Sequence, residues 1–195
     1  MRRYNLETYI RKLSFFLSSY SPLFIIIFIS NWNRFNIKWP LHIHHFCIFI
    51  CLIFLFLLPN IVVFSIYIEA GNSSQNLGNS ESISKIKDDK VINYLMAYVI
   101  PLSALNIDNF MESILPNIII FIIIGIIYMR MDLIYLNPFL CLFGFIPHLD
   151  EENDKVYITN FSKEELVKLI REGKSVNCTA IGDNIFLIRK DSNNN

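Results

Sequence analysis

The sequence predicts a membrane protein: an all-α bundle of four transmembrane helices followed by a small cytoplasmic α+β domain. Three observations carry this expectation. Apolar residues make up 53% of the 195 residues, with Ile and Phe prominent. They gather in long stretches free of Asp, Glu, Lys and Arg. The last third then returns to the alternating and capped patterns of a soluble fold. A soluble domain of this size would leave much of that apolar surface in water. A bilayer core of about 30 Å asks for about 20 apolar residues of helix, and lipid offers backbone groups no outside partner.

The predicted spans are residues 13–32, 45–68, 91–107 and 113–129, within a bundle over 1–130. The first has its apolar heart from Phe15 to Ile29. The second runs through Cys47 to Ile68, just before Glu69. The fourth is almost unbroken Ile and Phe from Ile118 to Tyr128. The third is shorter and more polar, with Asn93 and Asn106 and with Pro101 in its interior. A proline at membrane depth needs neighbouring protein to satisfy the freed carbonyl. Ala97, Ser103 and Ala104 allow close helix approach, so Ala97, Pro101, Ser103 and Ala104 are the helix-packing or signalling candidates. A buried helix of a soluble domain is the alternative for this segment. The first span follows Arg2-Arg3 as a signal peptide would, but Asn31-Trp32-Asn33-Arg34 is no small-residue cleavage site, so an uncleaved helix is expected.

Lys and Arg at the helix ends set the orientation. Arg2, Arg3, Arg11 and Lys12 precede the first span, and Lys85, Lys87 and Lys90 stand between the second and third. No base lies between the third and fourth. The expected arrangement is multi-pass in the inner membrane with both termini cytoplasmic. Tyr4, Leu6, Tyr9, Ile10 and Leu13 fall at roughly helical spacing beside the first basic residues. They suggest either a short helix on the anionic inner leaflet or a plain positive-inside flank.

Outside the spans, residues 69–90 are rich in Ser, Asn and Gly and read as a flexible cytoplasmic loop. Residues 131–190 read as the small α+β domain, with 191–195 as a tail. Within it, Leu133 to Phe145 is apolar but broken by Asn137-Pro138 and Gly144, which suggests a strand or, alternatively, a re-entrant segment over 133–147. Lys155 to Thr159 alternates like a strand. Ser162-Lys-Glu-Glu165 is a capping box opening a helix that ends at Gly173. Val176 to Ile181 and Ile185 to Ile188, joined by Gly182-Asp183-Asn184, signal a hairpin. Lys85, Lys87, Lys90, Glu164, Glu165 and Lys168 are the partner-docking candidates.

Chemistry is sparse. His42, His44 and His45 could ligate a transition metal, but no carboxylate or thiolate is near in sequence on that membrane side. Cys47 and Cys51 share a helical face and read as small hydrophobes. Asp150-Glu151-Glu152-x-Asp154 lacks the glycine-turn spacing of a calcium loop and reads as a solvated linker. The glycosylation-type triplets at Asn72, Asn160 and Asn177 all fall on the expected cytoplasmic side. No phosphate loop, nucleophile elbow or metalloprotease motif is present, and no charge lies within a span, as a coupled transporter would require. No catalytic, cofactor or metal site is therefore expected, and no enzyme activity. A formal net charge of zero gives no reason to expect direct nucleic-acid binding.

Four expected spans, Tyr94-Leu95 with Tyr98 and Ile100-Pro101, Asn137-Pro138-Phe139-Leu140 with Gly144, and Ile181 to Leu187 at the end of a strand–helix–hairpin tail occur in one order. In this the chain resembles the KwaA family, membrane subunits of the two-component bacterial anti-phage system Kiwa. The resemblance covers roughly residues 90–190. It implies a membrane sensor of phage attack, a homo-oligomeric assembly, and a cytoplasmic effector partner, KwaB, which is associated with phage DNA binding. It carries over no catalytic residue. The expected function is thus an inner-membrane sensor and scaffold that detects phage-induced membrane change and passes it to a cytoplasmic effector. An oligomeric channel or pore-forming effector is the alternative.

Overall fold

The computed structural model describes residues 6–30, 43–77, 82–86 and 115–190. Helix α1 (Leu6–Ser19) is followed by α2 (Ser21–Ser30) at an angle of 43°. The break lies where Pro22 lacks an N–H and its ring would crowd the carbonyl of Ser18. The chain bridges it with a tighter Tyr20 N–H to Leu17 carbonyl bond of 3.1 Å. Helix α3 (Ile43–Asn72) holds 30 residues and runs through Pro59. Two short strands follow, β1 (Ser74–Asn76) and β2 (Ile83–Lys85). Helix α4 (Leu115–Arg130) then leads through a 3-10 turn at Leu133–Leu136 into the short α5 (Pro138–Leu142). The remaining chain is β3 (Ile146–Asp150), β4 (Lys155–Thr159), α6 (Lys163–Arg171), β5 (Ser175–Gly182) and β6 (Ile185–Arg189).

The strands form one six-stranded mixed sheet in the order β1-β5-β6-β4-β3-β2. Within this sheet only the β4–β6 pair is parallel, and α6 with β5 supplies the long connection that a parallel pair needs. Alternation along the strands splits the sheet into two buried faces. Ile158, Ile181, Ile185 and Leu187 join Phe15, Phe16, Tyr20, Val63, Ile66 and Tyr128 of the long helices in one continuous core. Tyr157, Val176, Cys178 and Ile188 face the other way and pack beneath Leu166 and Ile170 of α6, with Leu77 and Ile83. The sheet therefore sits between the apolar helices and α6.

This corrects the predicted four-helix transmembrane bundle. Among the described residues there are six α-helices, and α3 is the one long and apolar enough to cross a bilayer, through Phe49–Asn72. The bent α1–α2 pair qualifies only if counted as one broken span. The expected 113–129 span is a helix of 16 residues, about 24 Å at 1.5 Å per residue, short of a 30 Å core. Freedom from charge marks an apolar run but does not say how much of it is one straight helix. The expected 91–107 span lies outside the described residues.

Two further expectations change. Residues 69–90, read as a flexible loop, extend α3 to Asn72 and then supply both edge strands, β1 against β5 and β2 against β3. Residues 133–147, read as a strand or re-entrant segment, instead form the 3-10 turn and α5, and only Ile146 and Pro147 enter a strand. Asn137 makes that difference. Its Oδ1 accepts from Phe139 N at 2.9 Å and Leu140 N at 3.4 Å, an N-cap with Pro138 in the first turn. Gly144 at φ 78° then turns the chain into β3. The capping box is formed as the sequence predicts: Glu165 N donates to Ser162 Oγ at 3.2 Å, and Ser162 N donates to Glu165 Oε2 at 2.9 Å. The β5–β6 hairpin also forms, turning through Asp183 and Asn184 with Asn184 at φ 57°.

Candidate functional site at the helix–sheet junction

The first turns of α1, the last turn of α3 and the end of α4 meet the sheet at one level, and charged groups concentrate there. Arg11 sits one turn after Glu7 on α1, the spacing that places both on one helix face. Its Nη2 donates to Glu7 Oε1 at 2.7 Å and to Glu69 Oε2 of α3 at 2.9 Å. Glu69 also accepts from Thr179 Oγ1 of β5, at 3.4 Å. One carboxylate thus touches two helices and the sheet. Lys12, 2% exposed, pairs with Asp132, which follows α4 in the left-handed conformation at φ 51°. Burying a charge is costly unless it is paired, so this pair ties α1 to the α4–sheet connection.

Further contacts reinforce the same level. Asn177 Nδ2 of β5 donates to the Gly71 carbonyl near the end of α3 at 3.0 Å. Asn137 Nδ2 donates to the Phe15 carbonyl of α1 at 3.1 Å. The Arg189 guanidinium of β6 stacks over the Tyr67 ring at 4.8 Å. Gly71 leaves room for it: a Cβ there would lie 2.5 Å from Arg189 Nη1, and the guanidinium would have to shift. Further from the sheet, Asn60 joins the helices through its amide. Its Oδ1 accepts from Ser18 Oγ at 3.0 Å, and its Nδ2 donates to Ser21 Oγ at 2.7 Å and to the Phe56 carbonyl at 2.6 Å. Ser18 and Ser21 flank the α1–α2 break, so Asn60 clasps both sides of it.

The sequence-predicted candidates lie elsewhere. Ala97, Pro101, Ser103, Ala104, Lys87 and Lys90 fall outside the described residues. Lys85 is in the edge strand β2. Glu164, Glu165 and Lys168 share the outer surface of α6, on the other face of the sheet from the long helices. Glu165 is engaged by Lys190 Nζ at 2.8 Å, and that hydrogen bond, with the Ser162 backbone, holds its carboxyl below the usual range. Among the described residues no three His, Cys, Asp or Glu side chains are grouped to hold a metal ion. Cys47 and Cys51 are exposed on α3, and burial pushes the Cys178 thiol up.

Asp150 is not part of a solvated linker. It is fully buried and organises the β3–β4 turn, accepting from Glu152 N and Asn153 N, each at 3.2 Å. Tyr157 lies behind it, its phenol pushed well above the ordinary range by burial and then by the Asp150 charge. Of the junction residues, sequence reasoning used Arg11 and Lys12 only as orientation markers. Their sequence signal is a charge within a turn of an apolar run, which Glu69 and Asp132 share. What it lacks is the partner, because the pairs join positions 58 and 120 residues apart.

No curated protein and no solved structure matches the chain. The family model of the anti-phage protein KwaA matches residues 11–187, a stretch that begins at the junction arginine and ends in β6. With the junction residues Arg11, Lys12, Glu69, Asp132 and Thr179 all inside that match, the chain belongs to the KwaA family of anti-phage proteins.

Proposed function

We propose that this chain is the inner-membrane sensor and scaffold of its anti-phage system, with the sheet on the cytoplasmic side. A change in the bilayer around the helices passes through the junction to a cytoplasmic effector subunit, a KwaB-like protein. The observation that carries this reading is the single core joining the apolar helices to the sheet. With the helices and one face of the sheet sharing that core and a charged junction at its edge, a tilt of α1 or α3 moves β5 and β6 rather than being absorbed in a linker.

Exposed apolar side chains support the membrane placement. Ile118, Ile119, Ile122, Ile123, Ile126 and Ile127 of α4, with Phe54, Leu58, Ile61 and Phe64 of α3, are each 43–62% exposed, as lipid-facing side chains would be. The basic Arg11 and Lys12 lie at the sheet end, as the positive-inside rule asks of a cytoplasmic face. In this reading the copies assemble through their helices, and the chain carries no reaction of its own.

The test is capture of the tagged protein from native membranes in mild detergent, with the mass of the intact complex measured. Residues 131–195 share the helix core, so deleting them would disturb the whole molecule. Charge reversal on α6, Glu164→Lys with Lys168→Glu, leaves the core intact and is the informative variant. Retention of a stoichiometric cytoplasmic protein by the parent chain is expected, with its loss from the variant placing the docking face on α6. A homo-oligomer without a partner, before and after phage challenge, refutes the reading, and ion flux in reconstituted vesicles would then make the chain a pore.

A further inference from the structure

The first two turns of α1 carry an apolar stripe that the core does not use. Leu6, Tyr9, Ile10 and Leu13 occupy positions i, i+3, i+4 and i+7, one face of a helix. They are 73%, 48%, 49% and 43% exposed. The same side of the helix is taken into the core further on, at Leu17 and Tyr20, so the exposure is confined to the first two turns of α1. The opposite side of these turns is saturated: Arg11 is held by Glu7 and Glu69, and Lys12 by Asp132.

The geometry points to a docking surface for the anionic cytoplasmic leaflet, with the stripe seated at the boundary between headgroups and acyl chains. This rests on the membrane placement proposed above. Two observations choose lipid over a protein partner. First, α1 meets α2 at 43°, so an α2 that runs into the bilayer leaves α1 leaning toward the membrane plane. Second, the sequence adds positive charge ahead of the stripe. Arg2 and Arg3 precede it in the sequence and contribute two positive charges, which outweigh the single excess carboxylate left where Glu7, Glu69 and Asp132 meet Arg11 and Lys12. An apolar helix face next to basic residues in the chain binds anionic interfaces, through apolar burial and attraction to the headgroup charge. A bilayer that thins or loses anionic lipid would release this stripe, and Arg11 and Lys12 would carry the movement to the sheet.

Fluorescence in vesicles tests this. Single tryptophans at position 10 (Ile10→Trp) or 122 (Ile122→Trp) are placed in full-length chains whose Trp32 and Trp39 are Phe. These are reconstituted in phosphatidylcholine with or without phosphatidylglycerol, using lipids brominated near the headgroup end or near the tail end of the acyl chain. At position 10, shallow bromines are expected to quench about twofold more than deep ones, since interfacial helices sit about 5–10 Å deep. Position 122 is expected to show the reverse order. Arg2→Gln with Arg3→Gln, or omission of phosphatidylglycerol, should weaken quenching at position 10 and leave position 122 unchanged.

Quenching at 122 with none at 10 overturns the docking surface while the membrane placement stands. Absence of quenching at both overturns both. Protection of position 10 only when the effector is added makes the stripe a protein-binding face and overturns the inference, as does quenching at 10 that ignores lipid charge.

Discussion

Asp132→Asn takes the counter-ion from Lys12 and leaves the backbone undisturbed, because Asn tolerates the left-handed conformation at φ 51° as well as Asp does. Lys12 is 2% exposed, so its ammonium stays in the core with a neutral amide in front of it. Breaking a buried pair from one side costs about 3–5 kcal/mol, most of it from the stranded charge. Lys12→Met strands the other partner, but the Asp132 side chain is 20% exposed and draws on water, so about 1–3 kcal/mol is expected. The double variant strands neither. Its cost should fall short of the sum of the singles by about 1–3 kcal/mol, the coupling of groups in contact. Thermal unfolding followed by circular dichroism in one detergent reads all four chains. For a chain of this size 1 kcal/mol moves the midpoint by about 2–4 °C, so Asp132→Asn should lower it by about 6 °C or more. A shift under about 2 °C, or single effects that add fully in the double variant, would refute the claim that this pair holds α1 to the sheet.

The other expectations concern different layers. Ser162→Ala removes the acceptor for Glu165 N and should cost about 1 kcal/mol; amide exchange in the first turn of α6 should quicken while the β5 amides hold. Gly125→Ala gains about 1 kcal/mol of helix propensity but sets a methyl 2.9 Å from Phe16 Cε1, where overpacking costs about 1–3 kcal/mol. Phe16 is wedged among Tyr20, Phe121 and Tyr128 and cannot yield, so the melting midpoint should fall; a midpoint that holds or rises would contradict this. Tyr157 has a folded pKa above the value of about 10 expected unfolded, so its contribution to stability is fully present below pH 10 and is lost as pH rises beyond it. Tyr157→Phe should therefore move the onset of alkaline unfolding to higher pH, and an unchanged onset would show that the phenol is not the group that titrates.

Local interactions were legible in the sequence because they are complete within a few residues. The Ser162–Glu165 capping box, the strand at Lys155 to Thr159 and the hairpin through Asp183 and Asn184 need no distant partner. The Asn137-Pro138 pair was legible as a break, but its chemistry is that of a helix start as much as of a turn. The apolar runs of α3 and α4 were equally plain, since composition alone marks them.

Length of helix and placement of strands were decided by tertiary structure. Pro22 could have been tolerated within one straight span; the clasp of Ser18, Asn60 and Ser21 accompanies a bend instead. Ser74–Asn76 and Ile83–Lys85 carry weak strand propensity, and they become strands because β5 and β3 offer unpaired edges. The junction was hidden for the same reason. Composition and period record which residues are apolar, charged or able to cap, so the sequence by itself determined an apolar helical region, a capped α+β tail and bases near their boundary. That Glu69 meets Arg11 and Thr179, or Asp132 meets Lys12, depends on contacts between distant positions, which only the packed core brings together.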